Sequence, residues 1–478
     1  MHRSGEGKQV TSPRPPNVPS HAPSLASPRA SSRWRVAAWV AIPALFSIAG
    51  VTALRGTWFF YDEWSLIGQE LYGSVWHGLL LNFNGHLWTF QYLLYRFQVV
   101  GLGVRGHLFV DLVLLGSLVA LQLAFAFVAV AGGVGDLTAL SVGGLVTYLP
   151  AAIQNSSFAP QAAGNFAFAC SLAAVGLIVR GGPGRARTWA VGALLLAAVG
   201  WDSATALAVV PGVVTVMALR AQRWRILAAA PAVLFAAGFT LVSHGPSWPG
   251  SRGAQLRLAA NLLLRSLGGL TGVPVGAQPV AGVGVLAVVA GVVFVARRRG
   301  LVSGLPGCLL AGGLVSCAAV IGSITLTRAG LVDPTLSSYN RYLAQVDIPF
   351  LVATLPLAAA LARDQRHRGR PSPWGRVSAA GAVVVAMTLG STLVRPDLLD
   401  PFHQFNVQVH MVALSAAAVV ERGCPPGTIL DRASAPAGSA SPQMTTGLVA
   451  DLVRRGLLSA PPGWTIDRAV QQTMCPAQ

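Results

Sequence analysis

Eleven long apolar stretches, separated by short polar segments, constrain this chain more than any other feature of its sequence. A transmembrane helix needs about 20 apolar residues, and only 10% of the residues are charged, against about 25% in a soluble protein. The sequence therefore predicts an all-α bundle of about eleven transmembrane helices, in which the short fifth and sixth form one broken hairpin. The stretches are residues 34–54, 107–131, 137–153, 163–180, 188–200, 203–219, 225–243, 279–296, 303–325, 343–361 and 375–394.

The distribution of basic residues predicts how these helices are oriented. The formal net charge is +18, and arginines occur in short clusters between apolar stretches, such as "RAQRWR" and "RDQRHRGR". Short cytoplasmic loops carry such an excess of arginine. We therefore expect a cytoplasmic N-terminus, an extracytoplasmic C-terminus and no nucleic-acid partner. The composition, rich in arginine, alanine and glycine, favours a bacterial plasma membrane.

Both ends of the chain differ in composition from the apolar region, residues 34–394. Residues 1–33 are rich in proline, serine and arginine, which is typical of a disordered tail. Residues 395–478 are more polar and predict a small extracytoplasmic domain, whose first helix ends at Gly423. Because an oxidising exterior favours disulfides, we expect Cys424 and Cys475 in this domain to be bonded.

The first outer loop, residues 55–106, contains a helical pattern that is not a transmembrane segment. Between residues 76 and 97, apolar side chains recur every three or four positions, and polar side chains occupy the opposite face. This pattern predicts amphipathic helices in the membrane interface, packed on the transmembrane helices as well. Gly85 in "NFNGH" breaks the pattern into two helices.

The order of these features resembles the GT-C class of glycosyltransferases, which are membrane enzymes with polyprenyl-phosphate sugar donors. A first span, an acidic pair in "YDEW" (61–64), a long loop with interfacial helices and many later spans make up the resemblance. "NGHLW" (84–88) and "NRY" (340–342) also resemble features of bacterial members. The resemblance covers residues 34–394 and implies sugar transfer, with inversion, to a glycan or protein of the cell envelope.

The acidic pair Asp62 and Glu63 is the predicted catalytic centre. Glycosyl transfer requires a base for the acceptor hydroxyl, and a partly buried carboxylate serves well because burial raises its pKa. The resemblance implies that the first-loop acid, Asp62, is the base, with Glu63 as the second choice. If the pair ended the first span, it would oppose the helix dipole, which favours function. The alternative is that the pair only solvates the turn.

Three further acids lie at or inside predicted spans, where acids are usually functional. Asp111 and Asp347 are predicted to line the pocket, although Asp111 could instead form a structural bridge with an arginine, Arg105 or Arg96. Asp202 follows directly on the fifth stretch and is favoured as an N-cap, with a place in the pocket as the alternative.

The remaining predicted site residues serve the donor phosphate and the acceptor. Arg341 could bind a phosphate through two hydrogen bonds, with Tyr342 beside it and Arg96 as a weaker choice; interfacial snorkelling is the alternative for Arg341. "QNSSFAPQ" (154–161) is predicted to cover the pocket with polar groups. The other predicted pocket residues are His86, Asn84, Trp88 and Gln161.

The cofactor stays open, although a divalent metal is one option. Asp62, Glu63 and His86 together would suit a hard metal ion. Two other function classes also remain open, a lipid or solute transporter (flippase) and a non-catalytic membrane protein of envelope assembly. A transporter would favour internal repeats and midplane charges, and we find neither. No phosphate-binding glycine loop, HExxH motif or serine-protease triad order occurs, which argues against ATP-driven and proteolytic functions.

Overall fold

The structure, a computed structural model, consists almost entirely of helices. For a few residues within helices, including Asp62 and Arg341, it describes the backbone but not the side chain. The described residues are 30–54, 57–59, 62–80, 82–83, 86–148, 159–181, 184–220, 223–242, 250–271, 273, 275–330, 340–368, 396–426, 428–437 and 443–476.

Seventeen helices and one two-stranded hairpin make up these described residues. The hairpin, β1 Asn82–Phe83 and β2 His86–Leu87, is antiparallel and pairs Asn82 with Leu87. The helices are α1 Ala30–Ala53, α2 Asp62–Tyr72, α3 Val75–Leu79, α4 Thr89–Arg96, α5 Leu108–Ala131, α6 Asp136–Tyr148, α7 Gln161–Val179, α8 Arg185–Trp201, α9 Ser203–Leu219, α10 Arg223–Val242, α11 Arg252–Gly269, α12 Gln278–Arg298, α13 Leu305–Arg328, α14 Asn340–His367, α15 Pro396–Arg422, α16 Thr446–Arg454 and α17 Arg468–Met474.

Five of these helices are long and apolar enough to cross a membrane, by length and composition, among the described residues. They are α5, α7, α12, α13 and most of α14 (Tyr342–Gln365). The predicted number of eleven spans is therefore not confirmed. The helices in five other predicted stretches, α1, α6 and α8 to α10, are not among these candidates, and residues 375–394 lie outside the described part. These helices indicate an all-α, multi-pass membrane protein.

The fifth and sixth apolar stretches form two short helices with a single residue between them. Asp202 has an extended backbone between α8 and α9, and its side chain accepts hydrogen bonds from the backbone N–H groups of Ala204 and Thr205. These N–H groups have no partner within the first turn of a helix, so the carboxylate satisfies them. The predicted capping role of Asp202 is confirmed.

The first loop does not continue α1, and this overturns the argument that the acidic pair ends a helix. α1 ends at Ala53, whereas Asp62 is the first residue of the separate helix α2. Acids are stabilised at the N-terminus of a helix, where the dipole is positive. The position of Asp62 thus has a structural reason, and the helix-dipole argument for its function is withdrawn.

The predicted break at residues 82–86 is the hairpin, with α3 before it and α4 after it. In α4 and the π-helical turn that follows it (Phe97–Leu102), the apolar Phe97 is exposed, whereas the polar side chains of Gln91, Tyr95 and Gln98 are buried. Lipid would cover the apolar face, and protein covers the polar one. Both predicted environments of this segment, interface and helix packing, are consistent with this arrangement.

The C-terminal segment packs against the first loop in one shared hydrophobic core. Buried apolar residues of α2, such as Trp64 and Ile67, contact the same cluster as Val409 of α15 and Val449 of α16. Backbone bonds add to this contact, since the Val104 N–H donates to the Leu457 carbonyl at 3.0 Å. We call this shared structure, residues 57–107 with 404–476, the loop–tail unit.

The predicted disulfide between Cys424 and Cys475 is present, with Cα atoms 5.6 Å apart. It joins the end of α15 to the end of α17 and closes a loop that contains α16. Residues this close in space meet the geometric requirement for a bridge.

Titration of denatured, unreduced protein with a thiol reagent is expected to count three free thiols. Cys170, Cys308 and Cys317 are unbonded in the structure. After reduction the count should rise by two, and the melting temperature should fall, because a disulfide typically contributes about 2–4 kcal/mol. Five thiols before reduction would contradict the bond.

Candidate functional site

A cavity of about 510 Å³ lies within the loop–tail unit, where α2 faces the start of α16. Its volume is within the range of small-molecule sites, roughly 300–1,000 Å³. One wall is a single face of α2, a second comes from α3, α4 and the turn before α3, and the third comes from the C-terminal segment. The lining residues are Trp64, Ser65, Gly68, Gln69, Tyr72, Gly73, Ser74, Gly78, Tyr92, Gln443, Thr445 and Leu448.

The helical period places Asp62 on α2 next to the cavity-lining face. Gln69 follows Asp62 by seven residues, or about two turns, so both belong to one stripe of the helix. Gln69 lines the cavity. The structure describes the backbone of Asp62 but not its side chain. Its position on this stripe of α2 is therefore what the structure shows of the predicted base.

A buried ion pair lies behind the α4 wall of the cavity. Glu70 is 3% exposed, and Arg96 Nη1 lies 3.4 Å from its Oε2. The same Arg96 nitrogen is 3.4 Å from the hydroxyl oxygen of Tyr92, which lines the cavity. Glu70 Oε1 has no hydrogen-bond partner among the described residues. Arg96, predicted as a weaker phosphate ligand, is thus engaged with a carboxylate, as is usual for a buried acid.

Burial raises the pKa of Glu70 to about 7, against the opposing effects of the Tyr92 hydrogen bond and the Arg96 charge. A folded-state pKa above the ordinary value means that the folded protein loses stability as pH rises between the two values. Glu70 therefore titrates near neutral pH, directly behind a wall of the cavity.

The Glu70→Gln variant is expected to remove part of the pH dependence of stability between pH 5 and 7. Wild type should lose melting temperature across this interval, because Glu70 ionises only at a cost inside the protein. Glutamine is neutral and close in shape to glutamate, so the melting temperature of the variant should fall less than that of wild type over this interval. Thermal unfolding of both proteins in detergent at each pH measures the difference. Parallel curves of melting temperature against pH would exclude the raised pKa of Glu70.

Glu63, the second acid of the pair, belongs to a separate buried network. It is fully buried on α2, and its Oε1 accepts a hydrogen bond from the Tyr95 hydroxyl and lies 2.9 Å from His107 Nε2. His107 Nδ1 lies 2.7 Å from Asp111 Oδ1, and the Thr57 hydroxyl also donates to Asp111 at 2.9 Å. In place of the alternative considered for Asp111, a bridge to Arg105 or Arg96, a histidine lies between two carboxylates.

His107 is held as a cation in this network. Its burial opposes the charged form, but the negative charges and hydrogen bonds of Glu63 and Asp111 outweigh burial and raise the pKa of His107 to about 9. With both ring nitrogens protonated, His107 donates to both carboxylates. The network joins α2 to the start of α5, so it fixes the helix that begins with Asp62 against a transmembrane helix.

His86 and Asp202 form a third group at the hairpin. His86 Nδ1 lies 2.8 Å from Asp202 Oδ1, and the Leu87 N–H donates to the Ser203 hydroxyl at 2.8 Å. The hairpin thus binds to the junction of α8 and α9. The carboxylate is buried, which opposes its ionisation, but His86 and the bonds from Thr205 outweigh burial and lower the pKa of Asp202.

Two of the three residues suggested as metal ligands, Glu63 and His86, have other partners. Glu63 binds His107 and Tyr95, while His86 binds Asp202. Among the residues whose side chains are described, no group of three histidine, cysteine, aspartate or glutamate side chains is suited to a metal ion. The Asp62 side chain lies outside the described part, so its share in such a set is not described.

Other predicted site residues lie elsewhere or outside the described part. Asp347 is buried in α14 and accepts a hydrogen bond from the Ser266 hydroxyl of α11, so it joins two helices of the main bundle. Tyr342 packs partly buried against the core of that bundle, and Gln161 begins α7. Trp88 is buried beside His86. The Arg341 side chain, Asn84 and residues 154–158 of the predicted lid lie outside the described residues.

Sequence reasoning missed four residues of these networks. His107 precedes Asp111 by four residues, which places both on one helix face and could have suggested the pair. Glu70 follows Glu63 by two turns of α2 and could likewise have been noticed. The contacts of Tyr92 and Tyr95 depend on how α4 packs on α2, which no local spacing indicates.

The fold and this site define the class of the protein as an all-α, multi-pass membrane protein whose first loop and C-terminal segment form a cavity-bearing unit. Comparison with known proteins adds no family to this class. No protein-family model, no curated protein and no solved structure matches the chain.

Proposed function

We propose that this protein is a bacterial membrane glycosyltransferase that uses a polyprenyl-phosphate sugar and has its active site at the cavity of the loop–tail unit. One observation supports this most: Asp62 shares a stripe of α2 with Gln69, which lines the cavity. The loop–tail unit is joined to the transmembrane bundle at α5, so a lipid-linked donor could reach it from the bilayer. The sequence resemblance to GT-C enzymes agrees with this order of elements.

In the proposed reaction, Asp62 takes the proton of an acceptor hydroxyl. The hydroxyl oxygen forms a bond to the anomeric carbon, and the bond from that carbon to the phosphate oxygen breaks. The electron pair leaves with the polyprenyl phosphate, and attack from the opposite face inverts the configuration. A general base of this kind contributes about 10²–10⁴-fold to the rate.

The donor phosphate needs a cation, and Arg341 remains the proposed one. It begins α14 beside Tyr342, at one end of a candidate membrane span. Arg96 is less suited, because it is paired with the buried Glu70. The positive-inside distribution of arginines supports a site on the extracytoplasmic face, with the N-terminus in the cytoplasm.

The proposal is tested by supplying purified protein in lipid nanodiscs with polyprenyl-phosphate hexoses and pentoses. Release of polyprenyl phosphate, measured by chromatography, is the expected result, and it should be slow with water and faster with an envelope glycan acceptor. If no donor is cleaved but a labelled lipid crosses the membrane of proteoliposomes, the transporter interpretation replaces this one.

A further inference from the structure

The cavity lining contains no charged side chain among the described residues, although the chain as a whole has a net charge of +18. Its polar groups are hydroxyls and carboxamides, from residues such as Ser65, Gln69 and Thr445. These groups donate and accept hydrogen bonds but carry no charge. A phosphate or carboxylate bound here would lose water without gaining a counter-ion, which is costly.

The charged side chains that the structure describes near the cavity are paired with one another. Glu70 and Arg96 bind each other behind Tyr92. At the other side, Tyr72 donates to Asp451 at 2.6 Å, and Asp451 also binds Arg432 and Arg454. The Tyr72–Asp451 bond joins α2 to α16 beside the cavity.

Aromatic side chains and one unsatisfied acceptor give the cavity its ligand preference. Tyr72 contributes exposed aromatic surface to the walls, whereas Trp64 and Tyr92 are fully buried behind them. Gln69 Oε1 is buried without a hydrogen-bond partner among the described residues, and a buried acceptor of this kind favours a ligand that donates a hydrogen bond. A sugar ring offers both an apolar face for the aromatic surface and hydroxyl donors for the amide oxygen.

We propose that the cavity binds a neutral saccharide, and that this saccharide is the acceptor of the transferase. The acceptor role rests on the proposed function; the saccharide site itself does not. Ser65, Gln69 and Thr445 bind its hydroxyls, and the exposed ring of Tyr72 packs against its apolar face. The acceptor hydroxyl then lies towards the Asp62 end of α2.

Glycine at position 68 keeps this space open and provides the test. A Cβ atom placed there would have only Leu448 Cδ2 within 4 Å, at 3.7 Å, which is an ordinary contact. A small side chain therefore fits at position 68, and the larger side chain of Gly68→Leu is expected to occupy the cavity. Gly253 of α11 is the matched control, because a Cβ there would meet only Ser251 Oγ, at 3.9 Å, and Gly253 does not line the cavity.

The binding experiment uses the full chain in nanodiscs with four methyl glycosides, those of glucose, galactose, mannose and xylose, and with glucose 6-phosphate as the charged probe. Hydrogen exchange should slow at amides of residues 64–74 and 443–449 with at least one glycoside, and not with the phosphate. Gly68→Leu should raise the glycoside concentration that gives half-maximal protection about tenfold or more. Gly253→Leu should leave this concentration unchanged. No protection by any glycoside, equal protection by the phosphate, or normal protection in Gly68→Leu would overturn the proposal.

Donor turnover separates this proposal from the proposed function. Gly68→Leu should raise the KM for a glycan acceptor about tenfold or more, whereas Gly253→Leu should leave both this KM and donor hydrolysis unchanged. If the donor is cleaved and Gly68→Leu has the acceptor KM of wild type, the acceptor does not bind in the cavity, and the proposed transferase function is retained. If no donor is cleaved but the glycosides protect the cavity, the saccharide site stands and the transferase is wrong.

Discussion

The Asp62→Asn variant is expected to lower kcat for sugar transfer by about 10²–10⁴-fold while the protein remains folded. Asparagine has nearly the same shape as aspartate but cannot accept the acceptor proton. It is also a good residue at the start of a helix, so α2 should keep its N-terminus. Single-turnover assays with the polyprenyl-phosphate donor measure the loss, and thermal unfolding measures stability in parallel.

Glu63→Gln is the matched control for this experiment. Glu63 is fully buried against His107 and Tyr95, so its replacement should lower stability. The folded fraction should keep more activity than Asp62→Asn does. The opposite result, an active Asp62→Asn and a stable but inactive Glu63→Gln, would move the base to Glu63.

The His107→Gln variant is expected to lose about 3–5 kcal/mol of stability. It leaves the Glu63 and Asp111 carboxylates close together without the cation that His107 supplies, and breaking a buried ion pair by removing one partner costs about this much. Thermal or denaturant unfolding in detergent measures the loss. His86→Gln is the control, because His86 is partly exposed and Asp202 keeps its capping bonds; its effect should be clearly smaller. Equal losses would contradict the assigned importance of the His107 network.

The pH dependence of wild type provides an independent test of this network. The folded-state pKa of His107, about 9, lies above the ordinary value of 6.5. The stabilisation from its bound proton is therefore complete below about pH 6.5, decreases as pH rises, and is lost once pH passes about 9. Wild type should lose melting temperature from pH 7 to 10, and His107→Gln should lose less over the same interval. A wild-type curve that is flat or rises would rule out a protonated His107.

Combining Glu63→Gln with His107→Gln separates charge from packing. If buried negative charge causes the instability of His107→Gln, removing one carboxylate charge should restore part of the lost stability. A strongly non-additive double-mutant cycle is expected for residues in direct contact. Additive losses would instead indicate that packing around the histidine dominates.

Local sequence patterns predicted several elements correctly because they depend on neighbours along the chain. The capping role of Asp202 depends on N–H groups two and three residues away. The end of the C-terminal helix at Gly423 depends on a positive φ angle, 81°, that glycine adopts without strain. The presence of helices in the apolar stretches likewise depends on local composition, and α9, Ser203–Leu219, begins and ends where its stretch does.

Partners of buried acids could not be predicted, because they come from distant parts of the chain. Glu63 and His107 are 44 residues apart, and His86 and Asp202 are 116 apart. The sequence showed that such acids were costly to bury and needed partners, but not which ones. From the sequence, Glu63 was therefore predicted as the second acid of a catalytic pair, and only the packing showed that its partner is His107.

The sequence by itself determined the class of the protein, the helical character of its apolar stretches and the disulfide, since composition, period and chemistry are properties of the chain alone. Only the tertiary structure decided that the first loop and the C-terminal segment share a core and enclose a cavity. The physical reason is that burial and ion pairing are set by segments more than 300 residues apart, such as Tyr72 and Asp451, and no local pattern specifies which distant surfaces meet.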